Sequence, residues 1–502
     1  MRAGQFLLRA AMVAATAVAF LWPVVWNGGP FFFTDTRTYI RSADAAVNKL
    51  THWRTVWTAP EQDAAPAVAT ATVPDPGLHN IGVARTRSLA EISKKGILLG
   101  RSPFYGLLLY LGVITGGFWL TMLAQAGCVL LVVGLALRAL RLRLWPALPL
   151  LGLALCCVPA TPMFACYLMP DLFAGIAILV GALLLTEHGT RPRADLLLCG
   201  LLLAASALFH DSCVLIVAAL FGLGVLWNLL RRSWANWRGL GIILLTLVAA
   251  FLGQFVVAWG AKRASGEAPL RLPFLSARLV EDGPGTNYLR ANCPASHFVL
   301  CDYVSEFPMK DAEFLFGTQP GRTVFETAPY EVRSALGREQ FRFFFAVSRY
   351  DPVGVVKALG GGAVQQLFDF RMTSFNYEPS MRDVIDRTLP LPVIAGIQRS
   401  QAYRGTLPVT ALSVWMYACV LGALAWLGFI LFGRGRGAAM SGTLRGVLGW
   451  ILVGIAVNAG VCGAFSAVDP RYQARVVWLI PLVALLAWVQ SRGSAVQHRA
   501  DL

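Results

Sequence analysis

The sequence predicts an all-α polytopic membrane protein with about ten transmembrane helices and two extracytoplasmic loop regions that contain interfacial helices. Its composition is the first observation, because 56% of the 502 residues are hydrophobic and 14% are charged, unlike a soluble protein. The second is that long apolar runs recur, for example at 240–259, 412–432 and 447–465. Each run can cross a hydrocarbon core of roughly 30 Å with about 20 residues.

The positions of the basic residues are the third observation. The formal net charge is +16, which in a soluble protein would suggest a nucleic-acid partner. Here the arginines form short clusters between apolar runs, and cytoplasmic loops of membrane proteins are enriched in such residues. We therefore expect no nucleic-acid partner. The clusters are Arg138, Arg141 and Arg143; Arg191 and Arg193; Arg231, Arg232 and Arg238; and Arg434, Arg436 and Arg445.

Three regions follow from this pattern. Residues 1–260 form an N-terminal membrane module, with a first span at 5–26, a periplasmic loop at 27–102 and spans two to seven. Residues 261–408 form a periplasmic region, and 409–502 form a C-terminal module of three spans with a short cytoplasmic tail. The first span is read as a retained signal anchor, with cleavage near its alanines as the alternative. We expect a multi-pass protein of the bacterial inner membrane with both termini cytoplasmic.

The apolar stretch from Pro103 to Arg138 is too long for one span. Two crossings would put the first arginine cluster outside, so we predict an interfacial helix near RSPFYGLLLYL and one span from about Trp119. The other spans after the first are predicted at 147–165, 171–187, 195–210, 213–230, 240–260, 409–432, 446–466 and 476–490.

Cys293 and Cys301 are the two cysteines that lie in a polar loop. If that loop is extracytoplasmic, the compartment favours a disulfide between them, and two free thiols are the alternative. No Cys/His cluster with metal-ligand spacing accompanies them, so we assign no metal ligands.

The segment FFFTDTRTYIRSADAA, which contains Asp35 and Tyr39, follows the first span directly. A carboxylate held at the membrane surface can accept a proton from an acceptor hydroxyl while a lipid-linked donor reaches up from the bilayer. The alternative is structural, since Thr34 or Asp35 can cap a helix that starts here.

Two further segments hold candidate site residues. GRSPFYGLLLYL contains Arg101 and Tyr105, which could instead be a membrane anchor and an aromatic belt residue. YLMPDLFAGIAIL places Asp171 at a span entrance, where the helix dipole alone would explain an acidic residue.

Two outside turns complete the set of candidates. LFHDSCVL contains His210, which lies in a solvated turn or has an anionic partner. SAVDPRYQAR places Arg471, Tyr472 and Arg475 at the outer end of the last span. Paired guanidiniums there could bind a phosphate group, and snorkelling to lipid headgroups is the alternative.

The order of these motifs along the chain resembles the GT-C superfamily of membrane glycosyltransferases, in particular the bacterial branch related to protein mannosyltransferases and lipid A aminoarabinose transferases. The resemblance implies a polyprenyl-phosphate-linked sugar donor, inverting transfer and an acceptor (glycan, lipid or protein) reached from the outer face. It implies that Asp35 is the catalytic base. It also implies that the donor phosphate is bound by Arg471, Tyr472, Arg475 and a cationic His210. Further site candidates are Tyr39, Arg101, Tyr105 and Asp171.

The sequence departs from the family pattern at one point. Many relatives carry a second acidic residue beside the first, whereas this chain reads Thr-Asp-Thr, with Asp44 nine positions after Asp35. The cofactor is therefore unknown, with a divalent metal ion as one alternative. Loss of the transferase activity is a second alternative.

Two other functions fit parts of the pattern. A glycolipid flippase or transporter would use mid-span polar residues, of which Gln125, Gln254 and Asn458 are the few present. A lipid-linked glycan polymerase or ligase would depend on arginines of the 261–407 region, such as Arg322 or Arg371, and not on Asp35.

Overall fold

The computed structural model of the protein describes residues 2–53, 55–57, 101–186, 191–317, 323–433 and 440–500. Most of the first polar loop and Arg322 therefore lie outside the described residues. Within these ranges the chain forms helices and no strands, which confirms the predicted all-α fold class. An isolated parallel bridge joins Phe31 to Tyr167.

The first half of the chain forms eleven of the described helices. They are α1 (Arg2–Ala19), α2 (Trp22–Asn27), α3 (Thr36–Thr51), α4 (Pro103–Thr115), α5 (Trp119–Ala139), α6 (Leu144–Cys156), α7 (Ala160–Ala165), α8 (Leu172–Leu185), α9 (Arg193–Phe209), α10 (Asp211–Arg231) and α11 (Trp237–Ser265).

The second half adds a polar segment and the last apolar helices. They are α12 (Phe274–Glu281), α13 (Pro284–Asn292), α14 (Asp311–Phe316), α15 (Tyr330–Tyr350), α16 (Pro352–Phe368), α17 (Pro379–Thr388), α18 (Leu391–Gln398), α19 (Gln401–Arg404), α20 (Val409–Phe432), α21 (Gly442–Phe465), α22 (Pro470–Val477) and α23 (Leu479–Ala500). Short 3₁₀ helices cover Val299–Glu306 and Thr373–Phe375.

Seven segments of the described chain are long and apolar enough to cross a membrane, as a multi-pass protein requires. They are Gly4–Asn27, Trp119–Ala139, Asp211–Arg231, Trp237–Arg263, Val409–Phe432, Gly442–Phe465 and Pro470–Arg492. Three apolar helices, α4, α6 and α8, have only 13 or 14 residues. They reach about 20 Å at 1.5 Å per residue, less than the hydrocarbon thickness.

The helix boundaries differ from the predicted spans in two places. The span predicted at 147–165 is interrupted, since α6 ends at Cys156 and α7 begins at Ala160. The last span begins at Pro470 and not near 476, because the Asp469 side chain caps the helix by accepting a hydrogen bond from the Arg471 backbone N–H. Arg471 and Arg475 therefore lie inside the helical run.

Helix α8 is the centre of the membrane-type core. All of its residues are buried, and it packs against α5, α9, α10, α11, α21 and α22. Peripheral helices show the opposite pattern: Phe251 of α11 is 73% exposed and Leu245 is 68% exposed. A central helix that is apolar on all sides and outer helices with exposed apolar faces are the arrangement expected in lipid.

The polar segment between α11 and α20 has two parts with different cores. Residues 270–355, called here the polar unit, have a hydrophobic core of their own that includes Leu279, Phe314 and Phe343. Cys293 and Cys301 are joined by a disulfide within this unit. Residues 370–407, called here the strap, belong to the core of the membrane-type helices through residues such as Phe375 and Tyr377.

Helix α16 connects these two parts and crosses α21 at very short range. A Cβ added at Gly463 would lie 2.4 Å from the Gly362 carbonyl oxygen, and one at Gly362 would lie 2.3 Å from the Gly463 carbonyl oxygen. The two backbones therefore touch, and a glycine is required on both sides of the crossing.

Gly463→Ala should therefore lower the thermal unfolding midpoint in detergent, because overpacking of this kind costs about 1–3 kcal/mol. Gly460→Ala is the matched control on α21, since a Cβ there meets nothing within 4 Å. It should leave the midpoint unchanged or raise it, because alanine favours helix by about 1 kcal/mol over glycine. Equal midpoints for the two variants would show that the crossing tolerates a side chain.

Candidate active site

The loop that carries Asp35 is fastened to the turn before α8. Phe31 N donates to the Cys166 carbonyl at 3.1 Å, and Leu168 N donates to the Phe31 carbonyl at 2.9 Å. The Thr36 hydroxyl donates to the Leu168 carbonyl at 3.0 Å. These bonds join the first loop to the segment that contains Asp171.

The strap holds the same loop from the other side. Ala402 N donates to Asn27 Oδ1 at 2.8 Å, and Phe32 N donates to the Tyr377 hydroxyl at 2.6 Å. Arg41 Nη2 in α3 also donates to the Thr388 carbonyl at 2.7 Å. The start of α3 therefore has bonded neighbours that come from distant parts of the sequence.

Asp35 occupies the N-cap position of α3, but its side chain makes no capping hydrogen bond. Its Oδ1 instead accepts a hydrogen bond from Arg101 Nη2 at 2.8 Å. Both side chains are partly accessible, at 23% for Asp35 and 18% for Arg101. The Asp35 carboxylate therefore pairs with a cation. It does not cap its own helix, which was the alternative.

Helix α4 is held so that Arg101 faces Asp35. Ser102 caps α4 by accepting a hydrogen bond from Phe104 N, and its hydroxyl also donates to the Leu208 carbonyl at the end of α9. Gly106 packs directly on α3, where an added Cβ would lie 2.3 Å from the Tyr39 carbonyl oxygen. The approach of α4 to α3 therefore depends on a glycine.

Tyr39 and Tyr105 lie beneath this ion pair as an edge-to-face pair with ring centroids 5.3 Å apart. The Tyr105 hydroxyl is buried and donates to Gln125 Oε1 at 3.1 Å, so Tyr105 is held within the core. Burial raises the pKa of Tyr39; nearby Arg101 opposes this effect, and the Asp35 carboxylate adds to it. Tyr39 therefore stays protonated and can donate a hydrogen bond but not remove a proton.

Asp171 and Arg475 form a buried ion pair that joins α8 to α22. Arg475 Nη1 donates to Asp171 Oδ1 at 3.2 Å, and its Nη2 donates to Ser212 Oγ at 3.0 Å and Asn458 Oδ1 at 3.1 Å. The side chains of Arg475 and Asp171 are 0% and 1% exposed. The prediction that Arg475 contacts a donor phosphate directly therefore does not describe this conformation, in which Arg475 supports its neighbours.

Arg471 lies between this buried pair and the first loop. Its Nη1 donates to the Tyr167 hydroxyl at 3.0 Å, and its Cζ is 4.0 Å from the centroid of the Phe33 ring. Its Nε is 3.9 Å from Asp171 Oδ1, a loose ionic contact. Because Phe33 precedes Asp35 by two residues, Arg471 contacts the loop that carries Asp35.

Tyr472 is half-buried beside the two arginines of α22. The Cζ atoms of Arg471 and Arg475 lie 5.0 Å and 5.1 Å from the centroid of its ring. The ring therefore contacts both guanidiniums by cation–π attraction. This contact positions the arginines without using the Tyr472 hydroxyl.

His210 lies at the start of α10, where its Nδ1 accepts a hydrogen bond from Ser212 N at 3.1 Å. Burial holds the pKa of His210 well below its usual value, and the charges of Arg475, Arg101 and Arg471 lower it further. A lowered pKa disfavours the charged form of the His210 ring, so its role as a cation that faces a donor phosphate stays a prediction.

The guanidiniums of Arg101, Arg471 and Arg475 face the carboxylates of Asp35, Asp171 and Asp469. Asp211 is a fourth carboxylate in the field of Arg101. In the described part of the chain, no group of three or more His, Cys, Asp and Glu side chains is arranged to hold a metal ion.

The sequence patterns did not identify several residues of the cluster. Tyr167, Ser212 and Phe33 contact the arginines but lie in turns where only their acidic or basic neighbours were noted. Asn458 was noted as a mid-span polar residue, which was the available signal that it has a buried partner.

No family model matches the chain, and no curated protein sequence matches it. Among solved structures, the chain is similar to ArnT from Cupriavidus metallidurans in the apo state, at 15% sequence identity and a TM-score of 0.32. The similarity covers 98% of this chain and 78% of that chain. ArnT is a lipid A aminoarabinose transferase, which is among the classes that the motif order resembles. At this TM-score the likeness says nothing about the site.

Asp171→Asn should strongly destabilise the protein, because it leaves the buried Arg475 guanidinium without its carboxylate, a change that costs about 3–5 kcal/mol. Arg371→Gln is the control, since it breaks an exposed ion pair with Asp369. Such exposed pairs contribute about 0–1 kcal/mol. Thermal unfolding in detergent measures both variants, and a similar small shift in the two would contradict the structural role of the buried pair.

Proposed function

We propose that this chain is an integral membrane glycosyltransferase that moves a sugar from a polyprenyl-phosphate donor to an acceptor hydroxyl outside the cytoplasm, with inversion. The acceptor is a glycan, lipid or protein of the cell envelope. One observation carries the proposal: the Asp35 carboxylate pairs with Arg101, and Arg471 contacts the loop that carries Asp35, although these residues come from distant parts of the sequence.

Asp35 is the general base of this proposal. Asp171 is buried against Arg475, and Asp469 accepts hydrogen bonds from Arg471 N and Ser374 Oγ. Asp35 is more accessible than Asp171, and a single hydrogen bond to a cation can be exchanged when substrate arrives. A positioned carboxylate of this kind is suited to accept a proton from a hydroxyl.

The transfer step moves one proton and one electron pair. The acceptor hydroxyl gives its proton to the Asp35 carboxylate as its oxygen bonds to the anomeric carbon. The bond from that carbon to the phosphate oxygen breaks, and its electrons pass to the phosphate. Arg101 stabilises this charge as a donor, and Arg471 adds to the positive potential around it.

Arg101 also links donor binding to the base. Before the donor binds, its Nη2 is occupied by Asp35 Oδ1 at 2.8 Å. A phosphate competes with Asp35 for this donor, so its arrival releases the carboxylate when the acceptor needs it. Arg101 has the most accessible side chain of the three arginines, at 18% against 5% for Arg471 and 0% for Arg475. It is therefore the direct phosphate ligand of this proposal, and Arg475 holds α22 in place.

The polar residues that a transporter would use are engaged within the protein. Gln125 Nε2 donates to the Ala165 and Tyr167 carbonyls, and Asn458 Nδ2 donates to the Tyr472 carbonyl. Gln254 Nε2 donates to Asp211 Oδ1 at 2.8 Å. These side chains join helices to one another, which favours a fixed site over a transport path.

Asp35→Asn should reduce transfer by about 10²–10⁴-fold, because it removes the general base, with little change in the thermal unfolding midpoint. Asp211→Asn is the matched control, since Asp211 is also an exposed carboxylate near Tyr39. Glycan profiling of a deletion strain that carries each variant measures the product. Normal product from Asp35→Asn would remove this residue from the mechanism.

Arg101→Gln should abolish product in the same assay, whereas Arg371→Ala should leave it unchanged. The reason is that Arg101 faces the base, while Arg371 is exposed and already paired with Asp369 at 2.6 Å. A glycan polymerase or ligase predicts the reverse order. An essential Arg371 with a dispensable Arg101 would therefore replace the proposed function by that rival.

A further inference from the structure

A groove separates the polar unit from α16, away from the cluster around Asp35. Its volume is about 460 Å³, and a second cavity of about 640 Å³ shares Asn287 and Asp351 with it. Polar side chains of α12, α13 and the turn between them, Arg278, Asp282 and Asn287, form one wall. The other wall is a single face of α16 formed by Gly354, Ala358, Gly361 and Gln365.

Helix α16 has three distinct faces. Val355, Gly362 and Gln366 are buried, and Gln366 exchanges two hydrogen bonds with the Asp469 backbone, at 2.8 Å and 3.0 Å. The groove face is the row at positions 354, 358, 361 and 365, which follows helical spacing. Small residues along this row keep the groove open.

The third face of α16 is apolar and exposed. Val353 is 62% exposed, Val356 71%, Val364 59% and Phe368 67%. Helix α16 crosses the apolar span α21 at backbone contact. An exposed apolar face on such a helix is suited to contact with acyl chains at a membrane interface.

We infer that this groove binds the hydroxyl-rich head of a membrane lipid, whose acyl chains lie along the exposed face of α16. The lining residues include two cations, Arg278 and Lys357, and two carboxylates, Asp282 and Asp351, so the groove does not select a net anion. Carboxylates and the amides of Asn287 and Gln365 instead provide donors and acceptors for hydroxyl groups.

Arg278 gives the groove a fixed polar wall. The residue is only 8% exposed, and its Nε and Nη1 atoms contact Asp282 at 2.9 Å and Glu281 at 3.3 Å. These contacts hold the guanidinium in one orientation beside Gly362, where an added Cβ would lie 3.0 Å from Nη2. A side chain held in this way is pre-organised for a ligand.

The groove is connected to the candidate active site. Gln365 lines it, and the next residue, Gln366, bonds to Asp469, which caps the helix that carries Arg471. A lipid seated here would make a glycolipid the acceptor of the transfer. This identification of the acceptor, unlike the binding site itself, rests on the proposed function.

The test is a titration of the purified full chain with monoglucosyl diacylglycerol, in a detergent that has no sugar head, read by native mass spectrometry. Gly361→Leu places a side chain in the groove, and Gly396→Leu, on α18 of the strap and outside the groove, is its control. An added Cβ meets nothing within 4 Å at either position, so both variants should fold. We expect affinity to fall by roughly tenfold or more in Gly361→Leu and to be unchanged in Gly396→Leu.

Two further ligands identify what is recognised. Free glucose should bind far more weakly than the glycolipid, because it lacks acyl chains, and phosphatidylglycerol should bind more weakly because its head is anionic. Equal binding by wild type and Gly361→Leu, or a preference for phosphatidylglycerol, would overturn the inference. Asp35→Asn should bind the glycolipid like wild type, so a failure of the proposed transfer remains distinguishable from a failure of this site.

Discussion

The buried ion pair between Asp171 and Arg475 holds the site together. It joins the central helix α8 to the start of the last helical run, and Ser212 and Asn458 complete the hydrogen bonds of the guanidinium. Two charges removed from solvent are stable only while each has its partner, so the helices that carry them are held in one arrangement. Arg471, one turn before Arg475, takes its place near the first loop as a result.

The ion pair between Asp35 and Arg101 is accessible, unlike the buried one, and the two pairs have different uses. Asp35 and Arg101 keep 23% and 18% of their side-chain surface, so a ligand can exchange with either partner. The backbone bridge at Phe31 and the bonds from the strap fix the loop that carries Asp35. The buried pair provides rigidity, and the accessible pair remains available for chemistry.

Local sequence predicted much of the fold, including the helix that begins at Trp119. The reason is that backbone hydrogen bonds in lipid must form within each helix, and apolar runs show where such helices lie. The interruption between α6 and α7 was missed, since apolar composition continues through it. The division of the polar segment into the polar unit and the strap was also missed. It depends on which core each part joins, and composition does not record this.

The candidate site shows the same division between local and distant information. Motif order along the chain selected Asp35, Arg101, Asp171, Arg471 and Arg475, which lie beside apolar helices. An ionisable side chain at such a position costs free energy unless it has a partner or a function. Their individual positions could not be read in this way, because Asp171 and Arg475 are 304 positions apart and burial depends on which helices meet. Packing alone made Arg475 inaccessible, lowered the pKa of His210 and made Arg101 the partner of Asp35, since desolvation and charge pairing arise only when distant residues are brought together.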